Sequence, residues 1–186
     1  MLLLIGGGLQ ASVGVKAGLS LTLAGQESAI YNPSTRIVGR VGAFLDIFSG
    51  GPVSLRSGID LAMKGTWFYS VNHRAKQTVE LTYLQLPLLL NLRLIGTGID
   101  VFAGPFAGIL IHSTDIDDDN DWTWEGNKVR GYDLGLSAGI RFQLVRIFFF
   151  ELLFEKGLID IVHDPSDPGS RTHRTTVISL LGGIRF

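Results

Sequence analysis

Residues 12–23 read Ser12-Val13-Gly14-Val15-Lys16-Ala17-Gly18-Leu19-Ser20-Leu21-Thr22-Leu23. Every odd position is Val, Ala or Leu, and every even position is Ser, Gly, Lys or Thr. Successive side chains of an extended chain point to opposite sides, so this spacing makes a strand with one apolar and one small or polar face. A helix returns to one face every 3.6 residues and would scatter the same residues around its surface.

Working outward, comparable alternation recurs over 36–48, 53–67, 78–94, 98–112, 131–144, 146–160 and 174–186. Each segment is long enough to cross a hydrocarbon layer when tilted. The connections alternate in length: long over about 24–35, 68–77, 113–130 and 161–173, short at Ser49-Gly50-Gly51, Gly96-Thr97-Gly98 and Val145. An even number of strands with long loops at one end and tight turns at the other fits a closed eight-stranded antiparallel up-and-down transmembrane β-barrel, an all-β fold of the bacterial outer membrane. Both termini then lie at the short-turn, periplasmic end.

Composition agrees. The 186 residues are 46% hydrophobic, yet no run of 18 apolar residues could cross a bilayer as a helix. The 24 glycines argue further against long helices. A net charge of -1 gives no reason to expect a nucleic-acid partner, and the absence of cysteine excludes thiol catalysis, disulfides and cysteine-bound zinc. One domain, 12–186, is expected. Residues 1–11, an apolar start ending in Leu9-Gln10-Ala11, read as the remnant of a secretory signal peptide.

Volume decides which face points out, since eight strands enclose room for few side chains. Leu84, Leu86, Leu88, Leu90 and Leu92, with Phe148, Phe150, Leu152 and Phe154, are too bulky to share that interior. The opposite face carries Gly14, Gly18, Gly42, Gly104, Gly135, Gly139 and Gly183 among Lys16, Arg40, Asp46, Arg56, Asp60, Lys64, Arg93, Asp100, Asp133, Arg141, Glu151, Glu155 and Arg185. Seven of these thirteen are basic and six acidic, so a lumen charge network that pairs internally is expected. The alternative, a soluble lipocalin-like ligand-binding barrel, would crowd the leucines inside and expose the glycines. Aromatic girdles are expected from Trp67, Phe68, Tyr69 and Tyr132 at the loop end and from Phe48 and Phe186 at the turn end.

One segment breaks the pattern. Val79, Leu81 and Tyr83 are apolar at odd positions while Leu84 to Leu94 are apolar at even ones, and a β-bulge near Tyr83-Leu84 is the simplest repair. Pro87 and Pro105 fall inside strands with neighbours on both sides, where each removes a ladder hydrogen bond.

The final strand sets Ile178, Leu180, Gly182, Ile184 and Phe186 on one face. It resembles the assembly signal that the barrel-assembly machinery recognises during insertion. The chain also resembles, over about 12–186, the PorT-like or porin-family outer-membrane β-barrel domain of Bacteroidota-type envelopes. The resemblance rests on Val13-Gly14-Val15-Lys16-Ala17-Gly18-Leu19, Tyr83-Leu84-Gln85-Leu86-Pro87-Leu88-Leu89-Leu90, Phe102-Ala103-Gly104-Pro105-Phe106-Ala107-Gly108 and Gly157-Leu158-Ile159-Asp160-Ile161. It implies that both prolines are inherited features of the barrel. It raises a role in secretion-system assembly, and its porin label does not imply an open channel.

For chemistry, His73, His112, His163 and His173 lack metal-ligand spacing, and no metal or cofactor is assigned. The run Asp115, Asp117, Asp119, Asp121 lacks the glycine and glutamate of a calcium loop, and with Trp122 and Trp124 it is a candidate loop contact or calcium surface. Glu151 and Glu155 share an interior face as a carboxylate pair, for which neighbouring cations favour salt-bridged roles. The leading expectation is a non-enzymatic envelope protein, embedded in outer-membrane lipid and lipopolysaccharide, whose outward loops meet a protein or glycan. The alternatives are a narrow small-solute channel and a lipid A-modifying enzyme using His112-Ser113 beside Asp115.

Overall fold

The computed structural model describes residues 11–24, 35–48, 51–69, 76–116, 128–129, 131–145, 147–159, 162–163 and 175–186. The strands are β1 (Ser12–Ala24), β2 (Arg36–Ile47), β3 (Val53–Tyr69), β4 (Lys76–Leu94), β5 (Ile99–Ile116), β6 (Lys128–Val129), β7 (Tyr132–Gln143), β8 (Phe148–Gly157), β9 (Val162–His163) and β10 (Thr175–Arg185). Eight of them close into one antiparallel barrel in the order β1-β10-β8-β7-β5-β4-β3-β2. Closure runs from Gly14–Arg185 to Ala24–Thr175, so neither end of the sheet is left as an open edge. The signal-remnant reading falls on residues outside the described ones, Ala11 excepted.

The strands agree with the alternating segments, but several run further. Pairing of β3 with β4 continues to Tyr69–Lys76, and β5 extends to Ile116. Lys128–Val129 and Val162–His163, both within segments read as loops, pair as a separate two-stranded sheet. Loop composition marks where apolar alternation ends, whereas a ladder continues for as long as two backbones stay adjacent.

The bulge expected in β4 lies on its neighbour. Thr82 pairs with His112 and Tyr83 with Leu110, leaving Ile111 of β5 as the extra residue. Alternation in β4 is unbroken: Leu81, Tyr83, Gln85, Pro87, Leu89 and Asn91 all face inward and are buried. Leu81 and Tyr83 are therefore lumen residues, not a change of face. Both prolines sit within strands, as the alternation requires. The β3–β4 register lacks pairs at Gly58–Pro87 and Ile59–Leu86, while Pro87 still pairs with Phe106 on the other side. Pro105 likewise keeps its pairing with Leu136 of β7 while the β4–β5 register is interrupted beside it. Each proline thus costs one ladder, and the strand is held by the other.

The lumen holds more apolar bulk than glycines and charges alone. Phe44, Phe102, Phe106 and Phe149 point inward and are buried, with Leu89, Leu153 and Leu181. Each of these phenylalanines lies directly across a ladder from a glycine: Phe44 from Gly14, Phe102 from Gly139, Phe106 from Gly135 and Phe149 from Gly183. A Cβ at any of those four glycines would collide with the facing ring. Glycine on one strand thereby makes a seat for the aromatic ring of the next.

Outside, Val13, Val15, Leu19, Ile59, Leu86, Leu90, Leu136, Phe150, Leu152 and Leu180 are all exposed, continuing around the circumference. An exposed apolar belt of this extent belongs against lipid. Tyr132, Phe48 and Phe186 are exposed at its two ends, and the side chains of Trp67, Phe68 and Tyr69 fall outside the described set. Arginine in place of Leu152, midway along β8, should destabilise the barrel in phospholipid vesicles by roughly 2–4 kcal/mol, and arginine at Leu94, beside a turn, by about 0–1 kcal/mol. Equilibrium urea unfolding of the two variants measures the difference; equal costs at both positions would contradict the lipid-facing assignment.

Candidate functional site

The strand pleat that sends leucines to the outside sends every second residue to the lumen, where the barrel's charges gather. All eight barrel strands contribute a polar or charged group. Burial of so many charges is tolerable only where each is paired and hydrogen-bonded.

Glu151 of β8 is the junction. Its Oε1 accepts from Lys16 Nζ at 3.2 Å, and its Oε2 accepts from Arg56 Nη1 at 3.2 Å and from Arg141 Nε and Nη2 at 3.1 and 2.7 Å. Cations from β1, β3 and β7 thus meet on one carboxylate. Towards the turn end, Asp46 binds the Arg56 guanidinium through both oxygens, at 2.5 and 2.8 Å, and also faces Arg185 at 3.0 Å. Asp100 then links Arg93 at 3.2 Å, Arg141 at 3.5 Å and Arg185 at 3.7 Å.

Towards the loop end, Lys16 also reaches Asp60 at 3.2 Å, and Asp60 accepts from Arg40 Nε and Nη2 at 3.1 and 2.7 Å. Arg40 in turn donates to Glu155 at 2.6 and 2.9 Å and to Gln85 Oε1 at 2.9 Å. The Asp60 carboxylate occupies space that a Cβ at Gly42 would fill, so the glycine on β2 admits the pair. Lys64 and Asp133 form a further pair at 2.6 Å. All thirteen charged residues assigned to the lumen make an ion pair there, and eleven form one connected network of alternating sign that extends from Arg93 to Glu155.

The aromatic seats brace this chain. Arg56 stacks 3.7 Å from the Phe44 ring centroid, Arg141 lies 5.3 Å from Phe102 and 5.2 Å from Phe149, and Lys64 lies 4.9 Å from Phe106. Cation–ring contacts strengthen where water is excluded. Glu151 and Glu155, the carboxylate pair noted in the sequence, are each committed to cations. Gln85, Ser137, which donates to Glu155 at 3.2 Å, and the Ser20–Ser179 pair at 2.7 Å also belong to the lumen. Their inward parity along the strands was the available signal, and a search confined to charged residues passes over them.

The other sequence candidates stand apart. His112 is exposed on β5, and Ser113 follows it on the same strand, so the two occupy consecutive ladder positions opposite Thr82 and Leu81. The backbone of Asp115 lies in β5; its side chain, with Asp117, Asp119, Asp121, Trp122 and Trp124, lies outside the described residues. On β10, Leu180 is exposed while Ser179 and Leu181 are buried, and Phe186, which follows the strand, is exposed.

A family model described as outer membrane protein beta-barrel domain matches residues 8–163. No curated protein matches the chain. Among solved structures, Neisserial surface protein A is similar with a TM-score of 0.54 at 9% identity, covering 96% of this chain and 99% of its own. Ail, the attachment invasion locus protein of Yersinia pestis, gives 0.52 at 11% identity, over 95% and 99% of the two chains. The outer membrane protein OprG of Pseudomonas aeruginosa gives 0.52 at 12% identity, over 97% and 98%. At these identities the likeness is one of fold. The match over most of the chain, a closed eight-stranded barrel and a continuous apolar exterior together establish that this chain belongs to the outer membrane protein beta-barrel domain family and is an integral outer-membrane protein.

Proposed function

We propose that the barrel is a non-enzymatic envelope anchor with a closed lumen, and that its outward loops, chiefly 113–130, carry its contacts with partners. The observation that supports this is the lumen chain centred on Glu151: side chains from opposite walls meet in hydrogen-bonded ion pairs, braced by inward phenylalanines. A solute crossing the lumen would have to break several buried pairs at once. That burden weighs against the narrow channel. The two carboxylates on the interior face are neutralised by arginines, and His112 and Ser113 are successive strand residues, which favours an anchor over a lipid A-modifying enzyme.

The same reading sets both termini and the three short turns on the periplasmic side, the loops in contact with lipopolysaccharide, and the apolar face of β10 as the signal for the barrel-assembly machinery. The PorT-like relationship belongs with this reading too. Ail has been solved with the heparin analogue sucrose octasulfate. The Asp115–Asp121 run carries charge of the opposite kind to what a sulfated sugar needs. With Trp122 and Trp124 it favours a protein or neutral glycan, or calcium held among the aspartates.

In planar bilayers the purified protein should show no stable conductance steps; a steady ohmic current from single insertions would overturn the closed lumen. Glu151→Gln, which leaves Lys16, Arg56 and Arg141 short of a counter-charge, should lower stability by roughly 3–5 kcal/mol in vesicle unfolding. Replacing 117–127 by a short glycine-serine linker should leave the folded barrel intact and abolish binding of intact cells to glycan or protein arrays; unchanged binding would remove the loop from the account.

A further inference from the structure

The two strand prolines interrupt the wall at neighbouring points, and their effects join. Proline brings no backbone N–H, so Pro87 cannot donate towards Gly58 of β3, nor Pro105 towards Leu88 of β4. Leu86 and Pro87 consequently pair only with Ala107 and Phe106 of β5, and Leu88 and Leu89 only with Ser57 and Arg56 of β3. The support of β4 thus changes sides between Pro87 and Leu88, midway along the lipid-facing leucines Leu84 to Leu94. Ser57, the polar residue between the outward positions Leu55 and Ile59, donates from Oγ to Pro87 O at 3.2 Å and patches the break from the lipid side.

The lumen side of the same panel is also weakly tied. Between Leu81 and Asn91, β4 sends inward Leu81, Tyr83, Gln85, Pro87, Leu89 and Asn91, none of them charged. The inward residues of β5 from Phe102 to Leu110 carry no charge either. Behind the break, Leu89 and Phe102 pack with Leu153 and Leu181 in an apolar layer. The flanking strands are held differently. Arg56 of β3 and Arg141 of β7 meet on Glu151, and Lys64 of β3 pairs with Asp133 of β7 at 2.6 Å, directly across from one side of the panel to the other. β10 likewise sends no charge inward along its middle, yet its ladders with β1 and β8 run without a gap. Broken ladders and missing ion pairs coincide only on the β4–β5 panel among these strands.

We propose that the β4–β5 panel is the flexible section of the wall, where the barrel opens sideways towards lipid by displacement of β4 between Leu86 and Leu89. Such an opening breaks no ion pair and brings apolar lumen side chains, not charges, to the hydrocarbon. Opening along the axis must instead separate buried charges. The frame of β3 and β7 stays joined across the lumen while the panel moves, whatever the loops bind.

Amide hydrogen exchange, followed residue by residue by nuclear magnetic resonance on the protein in phosphatidylcholine nanodiscs, tests this. Exchange at Leu86, Leu88, Leu89 and Leu90 should be at least about tenfold faster than at Leu180, in the unbroken ladders of β10. The double variant Pro87→Val, Pro105→Val restores both N–H donors and should slow the β4 amides to the rate at Leu180. Ser57→Ala, which keeps both prolines and removes only the patch, should speed them further. Equal protection on β4 and β10 in the unaltered protein would overturn the proposal, as would β4 rates that neither variant changes.

Discussion

The constraint on which the rest depends is the small cross-section of an eight-stranded barrel. Bulky side chains cannot all fit inside, so the larger apolar set must face out, and an apolar exterior on this scale is stable only in lipid. Whatever remains inside is cut off from both water and hydrocarbon. The charged residues left there are tolerated because they neutralise one another: Glu151 gathers Lys16, Arg56 and Arg141, and Arg40 bridges Asp60 and Glu155. The geometry of the wall and the chemistry of the lumen are thus one problem with one solution.

Glycine has two uses in that solution. At Gly42 it admits a carboxylate, and at Gly14, Gly135, Gly139 and Gly183 it seats a phenylalanine from the facing strand. The seated rings then lie against Arg56, Arg141 and Lys64, turning loose side chains into a braced interior. Removing a single charge leaves its partners buried without compensation, which links stability to the same residues that close the lumen.

Most of the fold was legible because period two is a simple code. The alternation of Val13 to Leu23, the count of eight segments and the inward parity of all thirteen charges could be read without a contact map. What could not be read is equally specific. Leu81 and Tyr83 looked like a change of face because a lumen was expected to hold only small or charged residues, yet β4 keeps one parity from Leu81 to Asn91 and the bulge lies at Ile111 of β5. The pairing of each inward phenylalanine with a glycine depends on strand register, which hydropathy alone does not set. Gln85 and Ser137 were passed over since their side chains carry no charge.

A closed barrel in lipid has a direct signature, because its hydrogen-bonded wall survives detergent until it is heated. The measurement is electrophoretic mobility of the membrane-extracted protein in dodecyl sulfate, with and without boiling. A compact band in the unheated sample that shifts to the position of a 20.2 kDa chain on boiling is the result this account requires. One mobility under both conditions, together with a monomer that stays in solution without lipid or detergent, would contradict it.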